Sequence, residues 1–128
     1  MLNSLTKLGK WLFIIPFVVF GFFHLTGADK MAGMVPAYFP GGAIWVYLTG
    51  LGQLAFAASV VLGKYDKLAA GLCALMLLVF VLTIHLPGVM AGGDMAQMAM
   101  SGLLKDIGLA GGALMYASAF AKDSSVIG

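Results

Sequence analysis

The stretch "SGLLKDIGLAGGALMYA", residues 101–117, sets a lysine and an aspartate side by side at the front of a segment otherwise apolar enough to live in lipid. A charged side chain at the centre of a bilayer costs about 3 kcal/mol on insertion scales unless it finds a partner or reaches the interface. Whether this run spans a membrane decides the fold, and the rest of the chain supplies the context. Of 128 residues, 62% are hydrophobic and only 9% charged. The mean hydropathy is +1.03. Both lie well outside the composition of soluble domains. Lys64, Asp66 and Lys67 are the only charges between Lys30 and Asp94, and they separate two uncharged runs, each long enough for a hydrocarbon core of about 30 Å.

Four membrane segments are expected, at about 10–27, 43–62, 68–86 and 102–121, forming one domain over residues 1–128. "GKYDK" (63–67) reads as a tight turn, whereas 28–42 and 87–101 read as longer connections on the opposite side. The expected architecture is therefore all-α: an integral membrane, antiparallel four-helix bundle. Lys7, Lys10, Lys64, Lys67 and Lys122 fall on the side of the termini and only Lys30 clearly opposite, so both termini are expected to be cytoplasmic. Lys7 and Lys10 ahead of "WLFIIPFVVFGFF" could also pass for a cleavable signal peptide. The length and aromatic character of that run favour a retained helix, with Pro16 as a mild kink.

Several function classes drop out. The net charge of +2 comes entirely from lysine and aspartate, and lysines confined to loops and helix ends form no nucleic-acid stripe. Cys73, the single cysteine, can make no internal disulfide and reads as a small buried hydrophobe. Trp11, Trp45 and Tyr47 fall at span boundaries as aromatic anchors. "MAGMVPAYFP" (31–40) mixes apolar side chains with turn formers and suits an interfacial cap over the helices.

The polar residues inside the spans carry the functional reading. At about 100° per residue, Leu103, Ile107 and Leu114 share a lipid face, Asp106 shares a stripe with Ala110, Ala113 and Ala117, and Lys105 heads a stripe with Gly108, Gly112 and Ala119. Neighbours on a helix do not face each other, so Lys105 and Asp106 are not expected to form a private ion pair. Lysine can snorkel, whereas aspartate needs a donor from another helix. Counting rises of about 1.5 Å per residue puts His24, His85, Lys105 and Asp106 at one depth beneath the long connections, with Gln53 deeper as a floor. Such ionisable groups are functional candidates, and a His–Asp pair could exchange protons with a quinone or another redox-active head group. The alternative is that this layer only locks the helices in register. Met31, Met34, Met90, Met95, Met98 and Met100 fall in the long connections, where thioethers beside histidines could hold cuprous copper. No established metal-ligand spacing accompanies them, and no metal ligand is assigned.

"GFFHL" (21–25), "VPAYFPGGAIWVYLTGLGQL" (35–54), "HLPG" (85–88) and "LLKDIGLAGGALMYA" (103–117) together resemble the DoxX family of small four-helix bacterial and archaeal membrane proteins. The resemblance implies a multi-pass protein of the bacterial inner membrane. Some members of the family are tied to thiosulfate:quinone oxidoreductase or to other membrane oxidoreductase complexes. Where that family often carries a glutamate in helix two, this chain has Gln53, which removes one proton carrier.

The expectation is thus an accessory subunit of a membrane oxidoreductase system that binds a quinone-like or other lipophilic ligand near its non-cytoplasmic face. His24, Gln53, His85, Lys105 and Asp106 would contact the ligand, no catalytic residue is assigned, and a quinone is the cofactor considered. The partners expected are the lipid bilayer, oxidoreductase subunits or a second copy of the chain. One alternative is a non-catalytic structural or assembly partner of another membrane protein; a second is a copper-handling membrane protein.

Overall fold

The computed structural model describes residues 2–124; Met1 and residues 125–128 of the expected domain lie outside them. Regular structure is helical throughout, with no strand among the described residues. A short α1 (Leu2–Thr6) leads through a turn into α2 (Gly9–Thr26). The segment after it holds α3 (Ala28–Met31) and a 3-10 turn (Ala32–Met34). Next come α4 (Ala43–Leu62) and α5 (Asp66–Phe80). A π turn (Val81–His85) then joins α5 to α6 (Leu86–Ala91), and α7 (Ala96–Ala119) closes the series.

Among the described residues, three stretches are long and apolar enough to cross a membrane: Leu2–Thr26, Ala43–Leu62 and Asp66–Ala91. The sequence reading expected four. At 24 residues α7 has the length, but it is not in that set. Lys105, Asp106 and its many small residues lower its apolarity.

Two boundaries differ from expectation for a physical reason. The third span runs on through Pro87 to Ala91 instead of ending at 86. Proline lacks an N–H and clashes with the preceding turn of a regular helix, but here a wide turn precedes it. The Leu86 N–H bonds the Val81 carbonyl, five residues back, and Pro87 falls in the first turn of α6, where its missing N–H costs little. The connection expected over 87–101 shrinks to Gly92–Met95, where Gly92 (φ 69°) and Gly93 (φ 77°) supply the left-handed backbone for a sharp reversal. Asp106 therefore sits about three turns into α7 rather than one. Because both arms of this hairpin lengthen together, His85 and Asp106 stay opposite each other.

Packing runs α2 on α4, α4 on α5 and α5 on α7. Close approach depends on small residues, as expected where lipid supplies no hydrophobic force between helices. A Cβ on Gly50 would lie 2.9 Å from the Gly21 carbonyl oxygen, and one on Gly88 would lie 2.9 Å from Ala99 Cβ. The core lies toward the α4–α5 turn, where Phe17, Phe56, Val60, Leu77 and Ala113 are fully buried. Phe17 and Phe56 meet edge to face at 4.9 Å, and Phe13 meets Phe17 at 5.3 Å. Each such pair adds about 1 kcal/mol beyond simple burial.

Along α7, Asp106, Ala110, Ala113 and Tyr116 form the buried stripe, while Ile107 and Leu114 are exposed. The Lys105 stripe is divided. Gly108 is open, and Gly112 is pressed against Phe13, so that a Cβ there would come within 2.7 Å of the ring. Gly112 therefore makes room on α7 for the Phe13 ring of α2.

Candidate functional site

Opposite the packed core, the helices part around a cavity of about 460 Å³. Residues of α2, α4, α5, the π turn and α7 form its walls, and Met31, Met34, Val35, Pro36 and Phe39 roof it. The roof is the apolar segment that the sequence marked as a cap. Trp45 lines the cavity and donates its indole N–H to the Pro40 carbonyl, which ties the start of α4 to the cap.

All five residues proposed from the sequence line this cavity: His24, Gln53, His85, Lys105 and Asp106. Their connections are unequal. His85 Nε2 and Asp106 Oδ2 lie 2.8 Å apart, so the imidazole donates to a carboxylate only 3% exposed. The π turn contributes to this geometry. Leu77 and Val81 are buried on the face that leads to His85, and a regular helix drifts about 40° with every four residues. A wider turn takes up part of that drift and keeps His85 facing α7. Gly102 finishes the seat: a Cβ there would fall 2.8 Å from His85 Nδ1 and Cε1, so the ring lies directly on the α7 backbone.

Lys105 does not behave as expected. Its Nζ lies 3.5 Å from Asp106 Oδ1, and also 4.4 Å from the centre of the Phe20 ring. Its flexible stem curls back to the adjacent carboxylate even though the two Cα–Cβ bonds diverge, which the rule about helical neighbours does not forbid for a long side chain. With a side chain 45% exposed, the pair is screened and contributes little stability. It does balance the charge of Asp106.

His24 is not bonded to that pair. Its Nδ1–H donates to the Phe20 carbonyl one turn back, at 2.6 Å. Its Cβ packs where a Cβ on Gly50 would fall, at 2.9 Å, so the Gly21–Gly50 crossing sets the ring beside α4. Gln53 is 4% exposed, and its buried Oε1 has no hydrogen-bond partner. A buried amide oxygen without a donor costs about 1–3 kcal/mol, and such orphans in folded proteins call for an explanation.

Among the described residues, no group of three or more His, Cys, Asp or Glu side chains is placed to hold a metal ion. The six methionines expected in the long connections divide. Met31 and Met34 roof the cavity, whereas Met90 lies on α6, Met98 and Met100 lie on α7, and Met95 precedes it.

A family model matches residues 14–101, more than half of the chain. The chain belongs to the family described as Domain of unknown function (DUF8561). The DUF8561 match runs from α2 into the first turns of α7, so it takes in Gly21, His24, Gly50, Gln53 and His85 but ends before Gly102 and Asp106. No curated protein and no solved structure matches, and none of the matches is to a DoxX protein.

Sequence reasoning missed three features: the π turn, Gly102 as the seat of His85, and a second polar cluster at the far end of α5. There Asp66, fully buried, accepts hydrogen bonds from Tyr116 Oη (2.7 Å), Lys122 N (2.9 Å) and Asp123 N (2.8 Å). The sequence signal for this cluster was present in an aspartate beside a turn and a tyrosine on the buried stripe of α7. "GKYDK" was read only as a turn.

Proposed function

We propose that this chain is a membrane-embedded binding protein whose cavity holds a lipophilic molecule with a small polar head. In this reading all four long helices span the bilayer as an antiparallel bundle, both termini are cytoplasmic, and the roofed cavity lies toward the non-cytoplasmic face of a bacterial inner membrane. One observation carries the proposal: an apolar space of about 460 Å³ converges on the buried His85–Asp106 pair and on an unpartnered Gln53. Its size falls in the range of small-molecule sites, about 300–1,000 Å³, and such sites pair apolar walls with a few fixed polar groups. The lysine–aspartate balance makes the head-group region close to neutral and favours an uncharged ligand such as a quinone-type ring. The DoxX-like motifs extend the proposal to an accessory role beside a membrane oxidoreductase.

The test is extraction in a mild detergent, native mass spectrometry of the intact chain and identification of any small molecule released. A lipophilic molecule at close to one per chain is expected, with occupancy at least fivefold lower after Asp106→Asn. An empty wild-type protein, together with unchanged co-purifying partners in Asp106→Asn, would remove the proposal.

A second reading has its own support. Asp66–Tyr116 ties α7 to the start of α5 and His85–Asp106 ties it to the π turn that follows α5, as a pair of structural fasteners would. On that reading Asp106→Asn lowers thermal stability and changes nothing else.

A further inference from the structure

A second, smaller hollow of about 190 Å³ lies between α4 and α5, with Gly52, Ala55 and Phe56 on one wall and Ala69, Cys73 and Met76 on the other. It shares a seam with the cavity. On α4, Thr49 lines the cavity and Phe56, seven residues on, lines the hollow; across the seam, Ala69 and Met76 line the hollow and Thr83, at the same spacing, lines the cavity. Seven residues at about 100° each return to within about 20° of the same face, so both openings follow the line where α4 meets the α5 span. α4 and α5 are also the most loosely packed of the three consecutive helix pairs. Gly52 and Met76 stand at the border, about one turn from Thr49 and Phe80 of the cavity. The nearest atom to a Cβ on Gly52, outside its own stretch of α4, would be Met76 Sδ at 3.8 Å, so the border consists of a position without a side chain and one adaptable thioether.

The two spaces differ in chemistry. The cavity holds the His85–Asp106 pair, Lys105 and the Gln53 amide, whereas the hollow offers apolar walls and the Cys73 thiol. A polar end joined to a hydrocarbon channel matches the two halves of one amphiphile. Resting on the reading of this cavity as a lipid site, we infer that its occupant carries one long hydrocarbon chain, which leaves between α4 and α5, crosses Gly52 and Met76 and lies in the smaller hollow as far as Ala69. Met76 to Ala69 is about 10 Å along α5, so a molecule with a short tail fills the cavity and leaves the seam empty. Lipid gives the chain no hydrophobic reason to enter the seam, because its own tails are equally apolar; the seam supplies close packing on small side chains while the head is held beside it. The alternative way out, between α2 and α7, is bridged twice: Phe13 lies on Gly112, and the Lys105 ammonium sits 4.4 Å from the centre of the Phe20 ring.

Photolabelling of the full chain in lipid nanodiscs tests this. The probe is a benzoquinone ring bearing a dodecyl chain with a diazirine at its far end; the control is the same diazirine-bearing chain without the ring. Labels mapped by peptide mass spectrometry are expected at residues 52–56 and 69–73, at least about fivefold above the ringless control. Gly52→Phe sets a ring across the seam, where the backbone leaves room for it, and should lower that labelling at least about fivefold. Leu51→Phe, on the exposed face one residue away, should leave it unchanged. Met76→Phe serves if Gly52→Phe does not fold. Labels that fall on Phe20, Phe23 and Leu109 instead move the chain to the α2–α7 side, which overturns the seam and leaves the lipid site standing. Seam labels no stronger than the control, or labels that persist in the folded seam variant, overturn the path in the same way when native mass spectrometry still finds the ringed probe bound. No binding of the ringed probe overturns both.

Discussion

Two buried aspartates tie α7 to the α5 span, Asp66 at the start of α5 and Asp106 through His85 in the π turn beyond its end, and the two are treated differently. Asp66 is enclosed by a tyrosine hydroxyl and two backbone N–H groups from residues 122 and 123, in the half of the molecule filled by Phe17, Phe56, Val60 and Leu77. It also stands in the first turn of α5, where a helix favours negative charge. Asp106 has one imidazole and a loosely held, half-exposed lysine, and it borders open space. A satisfied polar cluster in a packed environment fastens helices together; an incompletely satisfied one beside a cavity keeps capacity for another molecule. The difference shows that buried polar residues need not share one role even where both tie α7 to the same neighbouring span.

Breaking the fastened end should have the largest effect. Asp66→Ala strands the Tyr116 hydroxyl and two backbone N–H groups together, and the expected loss is about 3 kcal/mol or more. Unfolding titrated with sodium dodecyl sulfate in mixed micelles would measure it. The turn before α5 should loosen as well, because Tyr65, held at a left-handed φ of 54°, donates its N–H to Asp123, whose own N–H is tied to Asp66. A loss below about 1 kcal/mol would mean that water replaces these bonds and that the comparison has no energetic content.

The next largest effect is expected from Gly102→Ala. The added methyl group would sit 2.8 Å from the His85 ring and must displace it, at a cost of about 1–3 kcal/mol for overpacking. More informative than stability is the bond to Asp106. In the wild type, the Nε2 resonance of His85 should show a proton held by a carboxylate; in Gly102→Ala that signature should be lost. If the ring keeps its bond unchanged, Gly102 is not what seats it.

Much of this architecture could be read from the chain because hydrophobic span length and small-residue spacing are local properties. The α2 and α4 spans fall within a residue or so of expectation, and the Asp106–Ala110–Ala113 stripe is buried as its 100° spacing indicates. The sequence also named five of the polar residues that line the cavity, though not Thr49 or Thr83, since depth follows from counting along helices. It could not show how they connect. The His85–Asp106 bond depends on a π turn that leaves no residue signature except a proline two positions after His85, and on Gly102, one glycine among 18. Lys105 defeated a rule about backbone direction because a four-carbon stem can fold back on its neighbour. The Asp66 cluster needed long-range knowledge, namely that residues 122 and 123 return to the α4–α5 turn.

The smallest change in stability, and the sharpest contrast with Asp66, is expected at Gln53. Both side chains are buried and polar, so a rule that ranks residues by burial alone would predict similar losses on replacement. The hydrogen-bond inventory predicts otherwise. Gln53→Met keeps the length and volume of the side chain while removing an amide oxygen that has no partner, so the desolvation cost of that atom disappears without stranding any group. The expected outcome in the same micellar unfolding titration is a stability within about 1 kcal/mol of wild type, in the stabilising direction. Methionine is also apolar and adaptable enough to settle against Phe17 and Leu77 at the cavity wall. A variant at least as stable that retains less of the co-purifying lipophilic molecule would show that Gln53 is kept at an energetic disadvantage for the sake of a ligand. A loss comparable to that of Asp66→Ala would mean that the Gln53 amide is bonded within the fold after all, and the hollow end would then be only a second fastening.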